Sequence, residues 1–208
     1  MHCLWYQLKH MLRIMKHPFA GFEEIRFNRK GSLLSATVIL LGVTCLRVFS
    51  LAVTNFIFNA DGLESMSPIK LMTQTVIPFG LWIAANYLVS SITKGQGRLR
   101  DVYMGTAYAL APYAVFSAPV AVLSNLFTAQ EQSIYYFLYY GMFLWCGFLL
   151  FVEIMVIQGY EVMETVGNTL STLFAAAVMI VIAFAVAGIC MQNYTYIYTI
   201  IAEVMELV

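Results

Sequence analysis

The chain has 208 residues, of which 61% are apolar and only 11% charged, and its mean hydropathy is +0.79. A soluble domain carries about 25% charged residues, so this composition excludes a globular protein with a solvated surface and reads as an integral membrane protein. Eleven Lys and Arg balance eleven Asp and Glu, but the cations are spread unevenly along the chain, and that asymmetry says more than the zero total.

Residues 1–32 are basic and amphipathic. No removable signal peptide is expected, because a short apolar run ending in a small-residue cleavage site is missing. Leu4, Trp5, Leu8, Met11, Leu12 and Met15 recur at helical spacing, whereas Gln7, Lys9, His10, Arg13 and Lys16 fall elsewhere on the wheel. Pro18 should end that helix, since the residue before a proline is pushed away from helical angles. The segment reads as an interfacial helix, its apolar stripe in the headgroup boundary and its cations toward anionic lipid. The alternative is a helix packed on the cytoplasmic ends of the spans. Cys3 beside it is open to palmitoylation, with plain packing as the other reading.

Five runs are long enough to cross a hydrocarbon core, which takes about 20 helical residues: Leu33–Phe58, Leu71–Ile92, Val102–Phe127, Ser133–Ile157 and Thr169–Gln192. No internal duplication stands out, and an odd number of spans weighs against an inverted-repeat transporter. The second connection, Lys94-Gly95-Gln96-Gly97-Arg98-Leu99-Arg100-Asp101, is a tight basic turn. Asp101 beside Arg98 and Arg100 reads as a salt-bridged helix cap. The third span then opens Gly105-Thr106-Ala107-Tyr108-Ala109-Leu110-Ala111-Pro112, a composition suited to close helix packing. Gly105, Tyr108 and Pro112 share a helix face. Pro112 leaves the Tyr108 carbonyl without its helical donor, so this face should point into the bundle, where the carbonyl can be satisfied.

Tyr135, Tyr136, Tyr139 and Tyr140 crowd the start of the fourth span, and Tyr194, Tyr196 and Tyr198 come after the fifth. Most should be interface anchors; a ligand-binding aromatic patch is the other reading. Residues 193–208 should lie along the outer interface as a short helix. Asn193-Tyr194-Thr195 formally matches a glycosylation acceptor, very close to the membrane.

Orientation is set by the cations. Lys9, Arg13, Lys16, Arg26, Arg29 and Lys30 precede the first span, and Lys94, Arg98 and Arg100 lie in the second loop, against Lys70 alone on the other side. Short cytoplasmic loops carry the excess of Lys and Arg, so the N-terminus should be cytoplasmic and the C-terminus outside. Three units result: 1–32 as a cytoplasmic segment, 33–192 as a five-span domain and 193–208 as an outer-face tail.

Charges inside a membrane are costly and often functional, and Arg47 and Glu153 are the two within the spans. Arg47 lies about 21 Å along the first span and Glu153 about 6 Å from the inner end of the fourth, so a direct pair is not expected. Glu153 is better placed to meet Arg98, Arg100 or Lys94. For Arg47 the available partners are carbonyls, a water cavity or the face of Tyr113.

The order of parts, together with Asp101-Val102-Tyr103 and the Gly105–Tyr113 motif, resembles the Yip family, the Ypt/Rab-interacting membrane proteins, and especially its shorter bacterial members. Tyr108, Leu110 and Pro112 fit the family pattern, with Gly105 three residues before the Tyr. The likeness covers about residues 19–192 in layout and 86–113 in motif. It implies a non-enzymatic, multi-span protein acting through partners, like bacterial relatives that look like accessory components near transport systems. Eukaryotic members usually have a long hydrophilic N-terminus, and only 32 residues precede the first span here, so Rab binding is not carried over.

Enzyme chemistry finds little support. His2, His10 and His17 are scattered along the basic segment and read as a solvated face. Cys3, Cys45, Cys146 and Cys190 lack metal-binding spacing. No Ser-His-Asp set or intramembrane aspartate pair is available.

The expected protein is therefore all-α and polytopic: a bundle of five transmembrane helices preceded by an interfacial amphipathic helix, in a bacterial plasma membrane. Its expected role is that of a scaffold or accessory subunit, with no catalytic residues, metal or cofactor. Its partners would be lipids and a membrane protein, for which a transport system is the candidate; no nucleic acid is expected, and homo-oligomers stay open. Arg98, Arg100, Asp101, Gly105, Tyr108, Pro112, Glu153 and Arg47 are the candidate structural and contact residues. A small permease or channel component is the alternative, and an intramembrane enzyme the more distant one.

Overall fold

The computed structural model describes residues 10–27, 32–58 and 68–206, with side chains up to Tyr196 except those of Pro68, Ile69 and Thr195. Residues 10–16 form a helix (α1), which stops at His17 with φ −135° and ψ 75°. Pro18 then opens α2 (Pro18–Arg26) from its first turn, where its missing N–H costs nothing. One proline thus ends one helix and starts the next.

The five spans are α3 (Leu33–Val53), α4 (Pro68–Ile92), the pair α5 (Leu99–Ala109) and α6 (Ala111–Leu123), α7 (Gln132–Gln158) and α8 (Val162–Glu206). All five are long and apolar enough to cross a membrane. The Ser32 hydroxyl caps α3 by accepting the Ser35 N–H at 3.1 Å. Thr54, in an extended conformation, ends it four residues before the expected Phe58. The expected single third helix is broken at Leu110, with φ −80° and ψ 4°, because Pro112 cannot donate within the ladder. A short 3₁₀ turn, Ala129–Glu131, leads into α7, with Glu131 accepting the Thr128 N–H at 3.0 Å in a capping box. Gly159, at φ +75°, closes α7 in the left-handed conformation that glycine adopts without strain.

The fifth span departs most from expectation. It begins seven residues before Thr169 and runs unbroken to Glu206, where a separate helix along the interface was expected from Asn193. Nothing in Asn193–Glu206 breaks a helix, as neither Pro nor Gly occurs there. At its start, Thr165, Asn168 and Thr172 are buried. Thr165 and Asn168 fall in the expected connection before Thr169, but the fold packs them with Thr172 as a helix face against α4.

The bundle has two ends. One carries α1, α2, the 93–98 turn and Gly159 (the basic end); the other carries Thr54–Phe58, the Ser124–Gln132 connection and Tyr135–Tyr140 (the tyrosine end). The α5–α6 pair is central, packed on α3 and α7. Val102, Met104, Ala107 and Tyr108 meet Ala36, Ile39 and Val43 of α3 and Leu149, Val152 and Ile157 of α7 in one core.

That core continues into the N-terminal segment. Ile14, Phe22 and Ile25 have 0% exposure, and α2 packs on α7 and α5. Each such side chain contributes about 1.5–3 kcal/mol relative to exposure in water. Gly21 permits the close approach, since a Cβ there would lie 3.1 Å from the Ile14 Cα. Leu12, Phe19 and Phe27 remain exposed. The described part of the segment is therefore docked on the bundle with one apolar face and keeps a second apolar face outward. Leu4, Trp5, Leu8 and Cys3 lie outside the described residues.

Candidate functional site

The most elaborate polar construction lies at the basic end, where the 93–98 turn meets the end of α7. Lys94 turns the chain at φ +59°, and the Gly95 N–H returns to the Ser90 carbonyl at 2.8 Å. Gln158, 1% exposed, clamps the next two residues. Its carbonyl accepts the Gln96 N–H at 3.1 Å and its Oε1 accepts the Gly97 N–H at 3.0 Å. A Cβ on Gly97 would come within 2.8 Å of that Oε1, so the glycine is there for closeness.

Arg26 of α2 completes the clamp. Its Nη1 donates to the Val156 carbonyl at 2.6 Å and its Nη2 to Gln96 Oε1. The guanidinium thus caps one orphan carbonyl at the C-terminus of α7, where a positive charge is favoured. Below, the Gln158 Nε2 and the Ser90 hydroxyl both donate to Asn86 Oδ1, at 3.4 and 3.2 Å. The Asn168 amide of α8 donates to Thr93 Oγ1 at 3.1 Å, and Tyr160 pairs with Thr93 at 2.6 Å. This polar seam joins α4, α7 and α8, as expected where side-chain hydrogen bonds hold helices together in lipid.

Gly105, Tyr108 and Pro112 are buried. A Cβ on Gly105 would collide with Ile157 and lie 2.7 Å from the Glu153 Cγ. Tyr108 has 0% exposure, donates to Ser35 Oγ at 3.1 Å and meets the His10 ring edge-on at 5.7 Å between centroids. His10 was expected on a solvated face. It is 4% exposed, between Tyr108 and Glu24, with Arg13 on the same carboxylate at 3.1 Å.

The expected pairing of Glu153 with Arg98, Arg100 or Lys94 is not made. Glu153 is 1% exposed and its two carboxyl oxygens have no hydrogen-bond partner among the described residues, while all three cations are exposed. The cations sit on the rim, and Glu153 lies beneath Gly105. Asp101 forms no ion pair among the described residues, and Arg98 rather than Asp101 holds the cap position of α5. In the first turn, Asp101 still suits the positive end of the helix dipole.

Arg47 lies toward the tyrosine end, far from Glu153. It lines a cavity of about 290 Å³ shared with Tyr113 and Tyr139. Of the expected contact residues, the structure brings Gly105 and Glu153 together, with Tyr108 and Pro112 on the same inward face. It leaves Arg98, Arg100 and Asp101 at the rim and Arg47 elsewhere. Arg26, Gln158, Asn86 and Asn168 were missed. Polar residues inside or at the ends of apolar runs were the available signal, and Asn86, Gln158 and Asn168 all fit it.

An all-α bundle of five membrane-length helices, closed by a small-residue third span and a docked N-terminal segment, defines an integral membrane protein built from packed helices. The Yip1 domain model matches residues 12–196, and the chain belongs to that family. No curated protein and no solved structure matches it. The match begins at Leu12, so the docked segment lies within the family domain.

Proposed function

We propose that the chain is a membrane scaffold or accessory subunit that acts through protein partners and lipids and catalyses no reaction. The observation that carries this reading is the clamp at the basic end. Arg26 locks the N-terminal segment to the 93–98 turn and to α7, at the end of the bundle where Arg13, Lys16, Lys94, Arg98 and Arg100 are exposed. A prearranged charged face favours docking, because little ordering entropy is lost on binding. The face suits anionic headgroups and an acidic surface on a membrane partner, for which a transport system is the candidate.

The cation asymmetry supports a plasma-membrane orientation with the basic end in the cytoplasm and the C-terminus outside, in a bacterial cell. A Cys at Glu64 or Glu131 should then react with an impermeant reagent on intact cells, whereas one at Gln96 should not. Labelling at Gln96 from outside would reverse the topology.

The scaffold reading is tested by purification with native lipids and mass spectrometry of co-purifying proteins. A membrane partner should be recovered in near-stoichiometric amount and lost when Arg98 and Arg100 are changed to Glu. A chain that purifies alone and, reconstituted, moves a solute across vesicles would replace this reading with a small permease, which the charged cavity at Arg47 favours.

A further inference from the structure

Arg47 lies on α3 about two turns before the helix ends at Val53. No carboxylate among the described residues is within ion-pair distance of it. The cavity it lines lies between α3, α6 and α7 and combines hydroxyl-bearing residues with apolar wall from Leu51 and Val120. Two of the hydroxyls are already engaged: Ser50 donates to the Ser117 carbonyl at 3.4 Å and Thr54 to the Ser50 carbonyl at 2.6 Å. Ser117 is different. It is 5% exposed, lines the same cavity, and its hydroxyl has no hydrogen-bond partner among the described residues. A buried hydroxyl left unsatisfied is costly, and a cation in a membrane helix needs a counter-group.

We propose that this cavity is a binding site for a phosphate oxyanion, carried by the headgroup of an anionic phospholipid. The chemistry selects the ligand class. One guanidinium with no carboxylate beside it among the described residues makes the described lining net positive, and its planar fork of N–H donors matches phosphate geometry. The Ser117, Tyr113 and Tyr139 hydroxyls supply further donors, and the apolar wall accommodates the glycerol and first acyl carbons. The position also fits, because Tyr135, Tyr136 and Tyr139 of the cavity lining belong to the cluster at one end of the bundle, where aromatic side chains mark the headgroup level. This site is at the opposite end from the Arg98 and Arg100 face and does not depend on the scaffold reading.

The full chain in an uncharged maltoside detergent would be titrated with dioctanoyl-phosphatidylglycerol, dioctanoyl-phosphatidylcholine or inorganic phosphate while its unfolding temperature is followed. A ligand that binds only the folded state raises that temperature with the logarithm of its concentration above the dissociation constant, which the onset of the rise reports. Phosphatidylglycerol should do so, and Arg47→Gln should raise that dissociation constant at least about tenfold, the loss expected for a charge-assisted bond. Ser117→Ala should raise it about threefold, and Gly188→Leu, outside the cavity lining, should leave it unchanged. Inorganic phosphate that gives the same Arg47-dependent rise supports the oxyanion site and assigns it to a free anion. If Arg47→Gln does not fold, Arg47→Lys and Ser117→Ala carry the test. Equal stabilisation by phosphatidylcholine, or an unchanged dissociation constant in the Arg47 and Ser117 variants, overturns the site.

Discussion

The third and fifth spans both satisfy the length and composition of a membrane helix, yet the fold treats them oppositely. In the most apolar stretch of the third, 56% of residues are buried, and in that of the fifth 0%. The more apolar helix is the exposed one, the reverse of a soluble protein. In lipid, apolarity alone gives no reason to move inward, and close packing and polar contacts decide which helix is enclosed. Gly105, Thr106, Ala107 and Ala109 let neighbouring backbones approach the third span. The fifth is attached to the bundle through α4 and, more lightly, α7, with Thr165, Asn168 and Thr172 buried near its start.

The largest break in this comparison should come from a leucine at each helix. Gly105→Leu drives a side chain into Ile157 and Glu153, and overpacking of this kind costs about 1–3 kcal/mol or more. Loss of expression, or a clear drop in unfolding temperature, is expected. Gly188→Leu on α8 has open space and should be silent. Equal behaviour of the two variants, measured by thermal unfolding in detergent, would remove the distinction between the spans.

Arg26→Ala should come next. It removes two charge-assisted bonds that hold the N-terminal segment to α7 and the turn, each worth about 1.5–3 kcal/mol at most. Limited proteolysis should cut before Leu33 faster in the variant, while the five spans stay protected. Unchanged cleavage would mean that Ile14, Phe22 and Ile25 hold the segment without the clamp.

Smaller effects are expected at the seam of the fifth span. Asn168→Leu removes its bonds to Thr93 and Ser90, and interhelical bonds in membranes average about 0.6 kcal/mol. A Cys pair across α4 and α8 should cross-link more slowly in this variant, with little change in unfolding temperature. Smallest of all is the coupling of Arg98→Ala with Glu153→Ala. Because Arg98 is exposed and Glu153 is buried away from it, their effects should add within about 0.5 kcal/mol. A larger coupling would restore the pair that the sequence suggests.

The two charged residues inside the spans show where reading a sequence stops. Spacing along a helix placed Arg47 and Glu153 at different depths, and the structure keeps them apart. It could not say that Glu153 points at Gly105 while Arg98 and Arg100 point outward, because a rim cation and a carboxyl one turn deeper look adjacent when only depth is counted. His10 failed for the same reason: a titratable residue on a basic helix looks solvated until a second element covers it.

Composition and apolar run length determined by themselves that this is a membrane protein and that it has five spans. These are one-dimensional properties: a helix must be long enough to cross, and a polar turn must lie outside the core. Only the tertiary structure decided that the N-terminal segment docks on the bundle, that Asn168 faces α4, and that Arg26 reaches the end of α7. It also decided that Arg47 faces a cavity with Ser117. Each depends on which faces of distant helices meet, and residue spacing within one helix fixes the face but not the neighbour it finds.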